Sequence, residues 1–595
     1  MSKSPLRFAG LTVCICLGSG GFATGQVAID VNSALPSDIA GGATKATLQQ
    51  AAAFAWQEFI ALDWPAMAGQ RDVADTSQKF GANAGGFFGA QPRNPLVWET
   101  FRGKVEIFNV ITNTDVPGGL APPGYRANST TPPVVHDLGY NTPLSDSLPS
   151  YSYLGTSVPA CPGQAAPASP AWINLDETTE ISLAQMFAGG PELRDQPHQF
   201  PPSDVNTSPQ LIRYAVKANH VEYEYIADPN NQYYVSAKVK GPAGNNRTAY
   251  TASPPVAPTP PFISFPTGTI EIKSAWRPLN NYDQPTRFHV QTVRFYEKKG
   301  GPNHNLPCYF EQQWGLIALH IIQKTPTAPA FIYATFEQAD NIRQPNATPV
   351  EDPDGNVTQP IPGAAPTTPA LAYQDSPTTP MVKVTPAGTP FCTPQNNLYF
   401  KDNPNDPGLT DFHVTGGGAI CVNQRYEPIP PDVIAVNNAA HQAITSYNTA
   451  NGVVNSPWLY YKLVSVQALP FDVSAKSPTD PLHSPAVFYQ ANIVVETNYT
   501  LQQFQGRIST SAAGQGAPTS LGGLPPPNVV TPAPTPPSVV GVNMGGCMGC
   551  HGNAQVTGGT DFSFILAEGV TKRPDTPSAI GDAQLRAKYL DLFQH

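Results

Sequence analysis

The 595-residue sequence predicts an α+β fold, with a β-rich, loop-rich large body and only a few helices. Three observations lead to it. Several apolar segments in the middle of the chain alternate with a two-residue period, the pattern of strands that bury one face. Charged residues make up 13% of the chain, against the usual ~25%. Proline numbers 67, about twice the usual share, and gathers in stretches that lack periodicity. Such a composition does not suit a helical bundle.

Taken in order, residues 44–63 predict a helix, because Leu48, Ala52, Ala55, Phe59 and Leu62 recur at helical spacing and Pro65 ends the run. Residues 95–110 read as a core-facing element, and residues 109–170, rich in Pro, Gly, Thr and Ser, as long surface loops. A second helix is expected over 208–227, with Ser208 as N-cap, Pro209 at the first helical position, and Arg213, Lys217, His220 and Glu224 on its polar face. Strands are expected at 268–277, where Ile270 and Ile272 share a face, at 287–296, at 314–324 and at 330–336. The third of these is apolar on both faces and should be buried, and antiparallel pairing of the set follows naturally. Residues 341–397 are again Pro/Thr-rich; 458–467 read as a strand and 484–505 as a long helix carrying Phe488, Ile493, Val494, Leu501 and Phe504. Residues 514–541 form a Pro/Gly-rich linker, extended and semi-rigid. No period of 20–50 residues marks a repeat architecture.

The N-terminus has the form of a secretory signal peptide, residues 1–25. Lys3 and Arg7 precede a short apolar run over 8–18, and Ala23-Thr24-Gly25 suits cleavage before Gln26. That run is too short to span a bilayer, and no later stretch is apolar for long enough, so the mature chain should have no transmembrane segment. Cys14 and Cys16 would leave with the leader. The formal charge of −10 becomes more acidic by the loss of Lys3 and Arg7, and no Lys/Arg cluster occurs, which argues against nucleic acid as a partner. Cys161, Cys308, Cys392 and Cys421 remain in the body, an even number that suits two disulfides in an oxidising compartment. Cys392 with Cys421 would close a short loop, leaving Cys161 with Cys308; four buried thiols are the alternative.

The chemistry is concentrated in Cys547-Met548-Gly549-Cys550-His551, a C-x-x-C-H pentapeptide. Two thiols at this spacing can each form a thioether to a vinyl-derived arm of a porphyrin, and the next residue can offer its imidazole to the iron. A zinc site would need two more ligands nearby, and no second Cys/His pair follows at zinc-finger spacing. A thioredoxin-like dithiol would lie early in the chain, between a strand and a helix. Over residues 545–552 the chain resembles the mono-haem c-type cytochromes. The resemblance implies one covalent haem c bound through Cys547 and Cys550, with His551 as proximal iron ligand, in a small cytochrome c-like segment spanning 542–595. Export and haem attachment support each other and imply a periplasmic or secreted protein. Residues 26–513 would be the large β-rich body, of one or two subdomains. The segment departs from the compact cytochrome pattern. Only 44 residues follow His551, none of them methionine, and beyond Phe562, Phe564, Ile565, Leu566 and a final helix over 582–593 there is little to enclose a porphyrin. The haem is therefore expected to be sandwiched against the large body.

The sixth iron ligand is open. His320 stands out because it lies in the most apolar segment, where an ionisable ring is costly without a partner. The alternative for it is a satisfied core histidine, with His289, His220, His595, Met67, Met186, Met381 or water at the iron. Arg277, Arg287 and Arg294 could neutralise haem propionates or be ordinary strand charges. Glu337, Asp340 and Asn341, and the run 351–356, are oxygen-rich enough for calcium or for polar turns. Nucleophile-elbow, zinc-protease and phosphate-loop motifs are missing from the sequence. These readings converge on a c-type cytochrome-like protein acting in electron transfer, with a redox protein or a small-molecule electron donor or acceptor as partner. Two alternatives stay open: a haem oxidoreductase whose large domain binds a substrate, and a binding or structural protein cross-linked by haem.

Overall fold

The computed structural model describes residues 27–82, 95–114, 116–127, 130–131, 135–136, 138–142, 152–153, 156–164, 172–178, 186–188, 210–252, 256–279, 283–298, 307–341, 351–358, 393–400, 418–422, 428–469, 492, 546–568 and 574. The signal peptide, the linker over 514–541, nearly all of the helix expected over 484–505, the final helix over 582–593 and His595 fall outside them. The fold is α+β with a large sheet at its centre. Its elements are α1 (Leu48–Leu62), β1 (Arg102–Gly103), β2 (Ile173–Leu175), β3 (Arg213–Ala218), α2 (His220–Ala227), α3 (Ser236–Thr251), β4 (Ile270–Arg277), β5 (Val290–Lys298), β6 (Pro307–Gln323), β7 (Ile332–Gln338), α4 (Pro431–Asn451), β8 (Tyr461–Gln467) and α5 (Gly546–Asn553). The eight strands form one sheet, antiparallel except where β5 meets β2. The 17-residue β6 is its spine: its first half pairs with β5, its second half with β4 and β7, and β8 pairs with β7. A smaller sheet joins Met186–Ala188, Gln210–Leu211, Thr393–Phe400 and Gly418–Val422.

Directly opposed residues in neighbouring strands share a face. One face carries the rows Ala215–Ser274–Leu319–Phe336–Leu463 and Lys217–Ile272–Ile321–Ala334–Val466. The apolar members of these rows belong to the main core, which α1 and α4 cover. α1 starts in a capping box, with Thr47 Oγ1 accepting from Gln50 N–H and Gln50 Oε1 accepting from Thr47 N–H, and it ends at Leu62 with Asp63 as C-cap. The five apolar positions read from the sequence are all buried. Trp56 is one contact with α4: its indole N–H donates to Asn437 Oδ1 at 2.7 Å, and Asn437 Nδ2 donates in turn to the carbonyls of Leu463 and Asp354.

The other face carries three rows: Ala218–Glu271–Ile322–Tyr333–Gln467, Val216–Lys273–His320–Thr335–Ser465 and Tyr214–Ala275–Ala318–Glu337–Lys462. This side is mixed polar and apolar. Its apolar part joins α2, α3 and the C-terminal segment 546–568 in a second core.

Three expectations need correction. Residues 208–227 are not one helix. Arg213–Ala218 is strand β3, buried on both faces between β1 and β4, and only His220–Ala227 is helical, N-capped by Asn219 rather than Ser208. Arg213 therefore lies in the core, bonded to the Tyr296 carbonyl and the Glu297 carboxylate, not on a polar helix face. Two further helices, α3 and α4, lie in stretches with no expected element. The 109–170 region is not all surface, since Val116, Tyr125, Tyr140 and Cys161 are buried. Cys161 and Cys308 form a disulfide that ties the 158–164 loop to the start of β6. Cys421 lies opposite Pro394 in the smaller sheet, while Cys392 is outside the described residues. No helix among the described residues is long and apolar enough to cross a membrane.

Candidate functional site

The C-x-x-C-H sequence forms α5, followed by a wide turn over Ala554–Gly558 and a tight turn over 559–564, and the whole segment lies on the second face of the sheet. Its apolar anchors are Met548, Val556, Phe562, Ile565 and Leu566. Met548 N–H donates to Gln467 Oε1 at 2.9 Å, Ser563 Oγ donates to Glu271 Oε2 at 2.5 Å, and Tyr333 Oη donates to the Phe562 carbonyl at 3.1 Å. All three sheet residues come from the same cross-strand row. Against α3 the approach is so close that only glycine fits at 559. Its φ is +72°, and a Cβ there would lie 2.1 Å from the Ala243 carbonyl oxygen. Asn246 Nδ2 donates to the Gly559 carbonyl at 2.9 Å.

The turn at 561–562 is strained and over-determined. Asp561 and Phe562 both have positive φ, 56° and 64°. Each such residue costs on the order of 1–3 kcal/mol. Buried bonds offset that cost. Asp561 Oδ2 accepts from Lys324 Nζ at 2.7 Å and from Phe265 N–H at 2.6 Å, and Asp561 N–H donates to Gln555 Oε1 at 2.7 Å. Burial pushes the Asp561 carboxyl up and the Lys324 ammonium down, and each partner opposes the other's shift. The conformation aims the Phe562 carbonyl at His551, whose Nδ1 lies 2.8 Å away. A carbonyl only accepts, so Nδ1 carries the proton and Nε2 is the lone-pair nitrogen. Nε2 meets no hydrogen-bond partner among the described residues. The imidazole packs between Tyr333 and Phe564, with ring centroids 4.8 and 5.1 Å away. Burial lowers its pKa to about 4, with the Lys273 ammonium adding to the effect and the Phe562 carbonyl opposing it.

These residues fit a haem c. The group requires from the chain a C-x-x-C pair and an imidazole held by one nitrogen with the other left for iron. His551 meets the second condition through its own hydrogen bond. Cys547 is half-buried beside it, and the side chain of Cys550 lies outside the described atoms.

His320 faces the same side as His551, in the next row of the sheet. Burial, then the charges of Lys273 and His551, lower its pKa to about 3, so it is neutral at ordinary pH. Its Nε2 lies 3.0 Å from Thr335 Oγ1, which also accepts from Asn492 Nδ2 at 3.1 Å. His289 and His220 are elsewhere, and His595 lies outside the described residues. His289 is buried against Glu99 at 2.7 Å and stacks on Trp458; His220 stacks on Tyr140. Arg277, Arg287 and Arg294 are committed to Asp283, Asp340 and Glu311. The oxygen-rich clusters are structural: Asp340 receives Arg287, Asn341 donates to the Ile317 carbonyl, Glu337 pairs with Lys462, and Asp352 caps a turn through Asp354 and Asn356 N–H. Among the described residues no group of three or more His, Cys, Asp or Glu is arranged to hold a metal ion.

Sequence reading missed Tyr333, Lys324, Asp561 and Gln467. A lysine closing the apolar run 314–324 was the one available signal, because a buried ammonium needs a partner. No family model matches the chain, and no similar curated protein or solved structure was found for it.

Proposed function

We propose that this chain is an exported c-type haem protein that passes single electrons, with one haem c joined to Cys547 and Cys550 and its iron held by His551. The observation that carries the reading is the anchored imidazole: Nδ1–H bonded to the Phe562 carbonyl, Nε2 left open, on the helix that holds the C-x-x-C pair. When bound, haem c supplies a one-electron couple at its iron. The chain's residues do the rest. The strained 561–562 turn orients His551, Tyr333 and Phe564 pack the imidazole, and the sheet under the segment keeps water from that side. The Lys273 ammonium adds positive charge nearby. His320, neutral and on the same face of the sheet, would be the further residue to hold the iron once it leaves Thr335. The Cys161–Cys308 bridge supports export, since disulfides persist in oxidising compartments. The partner is a redox protein or a small electron donor or acceptor.

The test is haem retention by the full-length protein, made with a c-type maturation system, through denaturation and acid–acetone extraction. Covalent haem should stay, and the double variant Cys547→Ser/Cys550→Ser should lose it. Haem released from the unsubstituted protein overturns the reading.

A further inference from the structure

We infer that the Tyr333 hydroxyl sets the electron-donating power of His551, by sharing the carbonyl to which that imidazole is bonded. The inference rests on the haem reading above and deepens it. The Phe562 carbonyl has two lone pairs. One takes the proton of His551 Nδ1 at 2.8 Å and the other that of Tyr333 Oη at 3.1 Å. A carbonyl that already accepts one proton is a weaker acceptor for a second. Without the phenol the carbonyl would pull harder on the Nδ1 proton. The imidazole would gain imidazolate character and favour the oxidised iron. With the phenol in place that pull is damped, and the reduced state is favoured.

The arrangement is built to last. Tyr333 is the second residue of β7, buried between paired strands, with its ring against the His551 ring, so its hydroxyl has a fixed aim. The carbonyl is equally fixed, because Asp561 is held by Lys324 and by Phe265 N–H. Tyr333 does not touch the iron position through this bond. It acts through the Phe562 carbonyl on His551 and is a positioning residue. The reaction concerned is one-electron reduction, with no bond broken and no proton transferred, the electron coming from an electrode.

The experiment is redox titration of the haem-loaded, full-length protein and of Tyr333→Phe, which keeps the ring contact and removes only the hydroxyl. The oxidised-to-reduced ratio at a fixed potential should rise about threefold, a fall of about 28 mV for a one-electron couple. Replacing Tyr333 by 3-fluorotyrosine, a stronger donor, should move the ratio the opposite way. Arg247→Ala, which removes a bond to the Gly558 carbonyl in the same segment, should leave it unchanged. The nitrogen-15 signal of His551 Nδ1–H provides a second readout, and should report a stronger hydrogen bond in Tyr333→Phe. Should Tyr333→Phe lower thermal stability yet leave the potential in place, the hydroxyl is structural only and the inference fails while the haem reading stands. Equal shifts in Tyr333→Phe and Arg247→Ala overturn it too. Loss of covalent haem from the unsubstituted protein defeats the haem reading instead.

Discussion

Lys324 Nζ lies 2.7 Å from Asp561 Oδ2, and the two buried side chains join the residue just after the central strand β6 to the segment that follows the C-x-x-C-H helix, 237 residues away. The pair holds that segment on the sheet. Removing one partner leaves the other charge buried, at a cost of about 3–5 kcal/mol. Lys324→Met is expected to lower stability by that order and to release the 546–568 segment first. Hydrogen exchange checks it: amides of 546–568 should lose protection while those of β4 and β6 keep theirs.

Gly559 tests the same docking by sterics. Gly559→Ala adds a Cβ at positive φ against backbone atoms of α3, with 2.1 Å to the Ala243 oxygen, and backbone cannot swing aside. The segment should detach from α3 with the body still folded. Limited proteolysis should cut Gly559→Ala within 546–568 faster than the unsubstituted protein, while near-ultraviolet dichroism of the tryptophan-rich core stays the same.

The disulfide closes a 147-residue separation. Cross-links of this kind contribute typically 2–4 kcal/mol, largely by restricting the unfolded chain. Cys161→Ser/Cys308→Ser should lower the unfolding free energy by that order. Reductant should lower the melting temperature of the unsubstituted protein and leave the double variant where it is.

How far the sequence was legible varies by element, and the reasons are physical. α1 was readable because its apolar positions repeat at 3.6 residues with a proline beyond. β4 to β8 were readable because β-branched and aromatic residues cluster there between breakers. β3 was misread as helix because RYAVKA has good helix formers and a Ser-Pro start nearby; its fate was decided by pairing with β1 and β4, which local propensity does not contain. α3 was hidden by Gly241, Pro242 and Gly244 inside it. α4 could have been found, since Val433, Val436, Ala440 and Ile444 fall on one helical stripe. At the site, the motif and the need for docking were legible from the shortage of apolar cover. Tyr333, Gln467 and Lys324 were not, because they reach the segment only through strand register set between 81 and 237 residues away.

Asn437 joins three elements and carries a prediction of its own. Its side chain accepts from Trp56 Nε1 and Leu463 N–H and donates to the carbonyls of Leu463 and Asp354. Trp56 belongs to α1, Leu463 to β8 and Asp354 to the 351–358 turn. Asn437→Ala leaves a buried indole N–H without its acceptor, for which the cost is about 1–3 kcal/mol before the other bonds are counted. Chemical denaturation should show a midpoint shift without a change in slope, and Asn437→Asp should recover part of the loss through its remaining oxygen acceptors.

His320 yields a pH prediction with a definite sign. Burial, Lys273 and His551 hold its folded pKa at about 3, below the ordinary histidine value of 6.5. As the pH falls below 6.5 the unfolded chain takes up a proton that the folded chain refuses. The stability it contributes is therefore complete above 6.5 and is lost as pH falls toward 3. Between pH 6.5 and 5 the loss from this one group is about 2 kcal/mol. His320→Gln keeps a hydrogen-bonding group opposite the Thr335 hydroxyl and removes the titration, so its stability should fall less steeply over that interval. Ligation of iron by His320 would also block protonation in the folded state and keeps the sign the same. The optical spectrum separates the two roles. If His320 is the sixth ligand, His320→Gln should shift the Soret band and admit cyanide or carbon monoxide faster, with the haem still attached at Cys547 and Cys550. If it is a packed histidine bonded to Thr335, the pH slope alone should change and the spectrum of the folded protein should not.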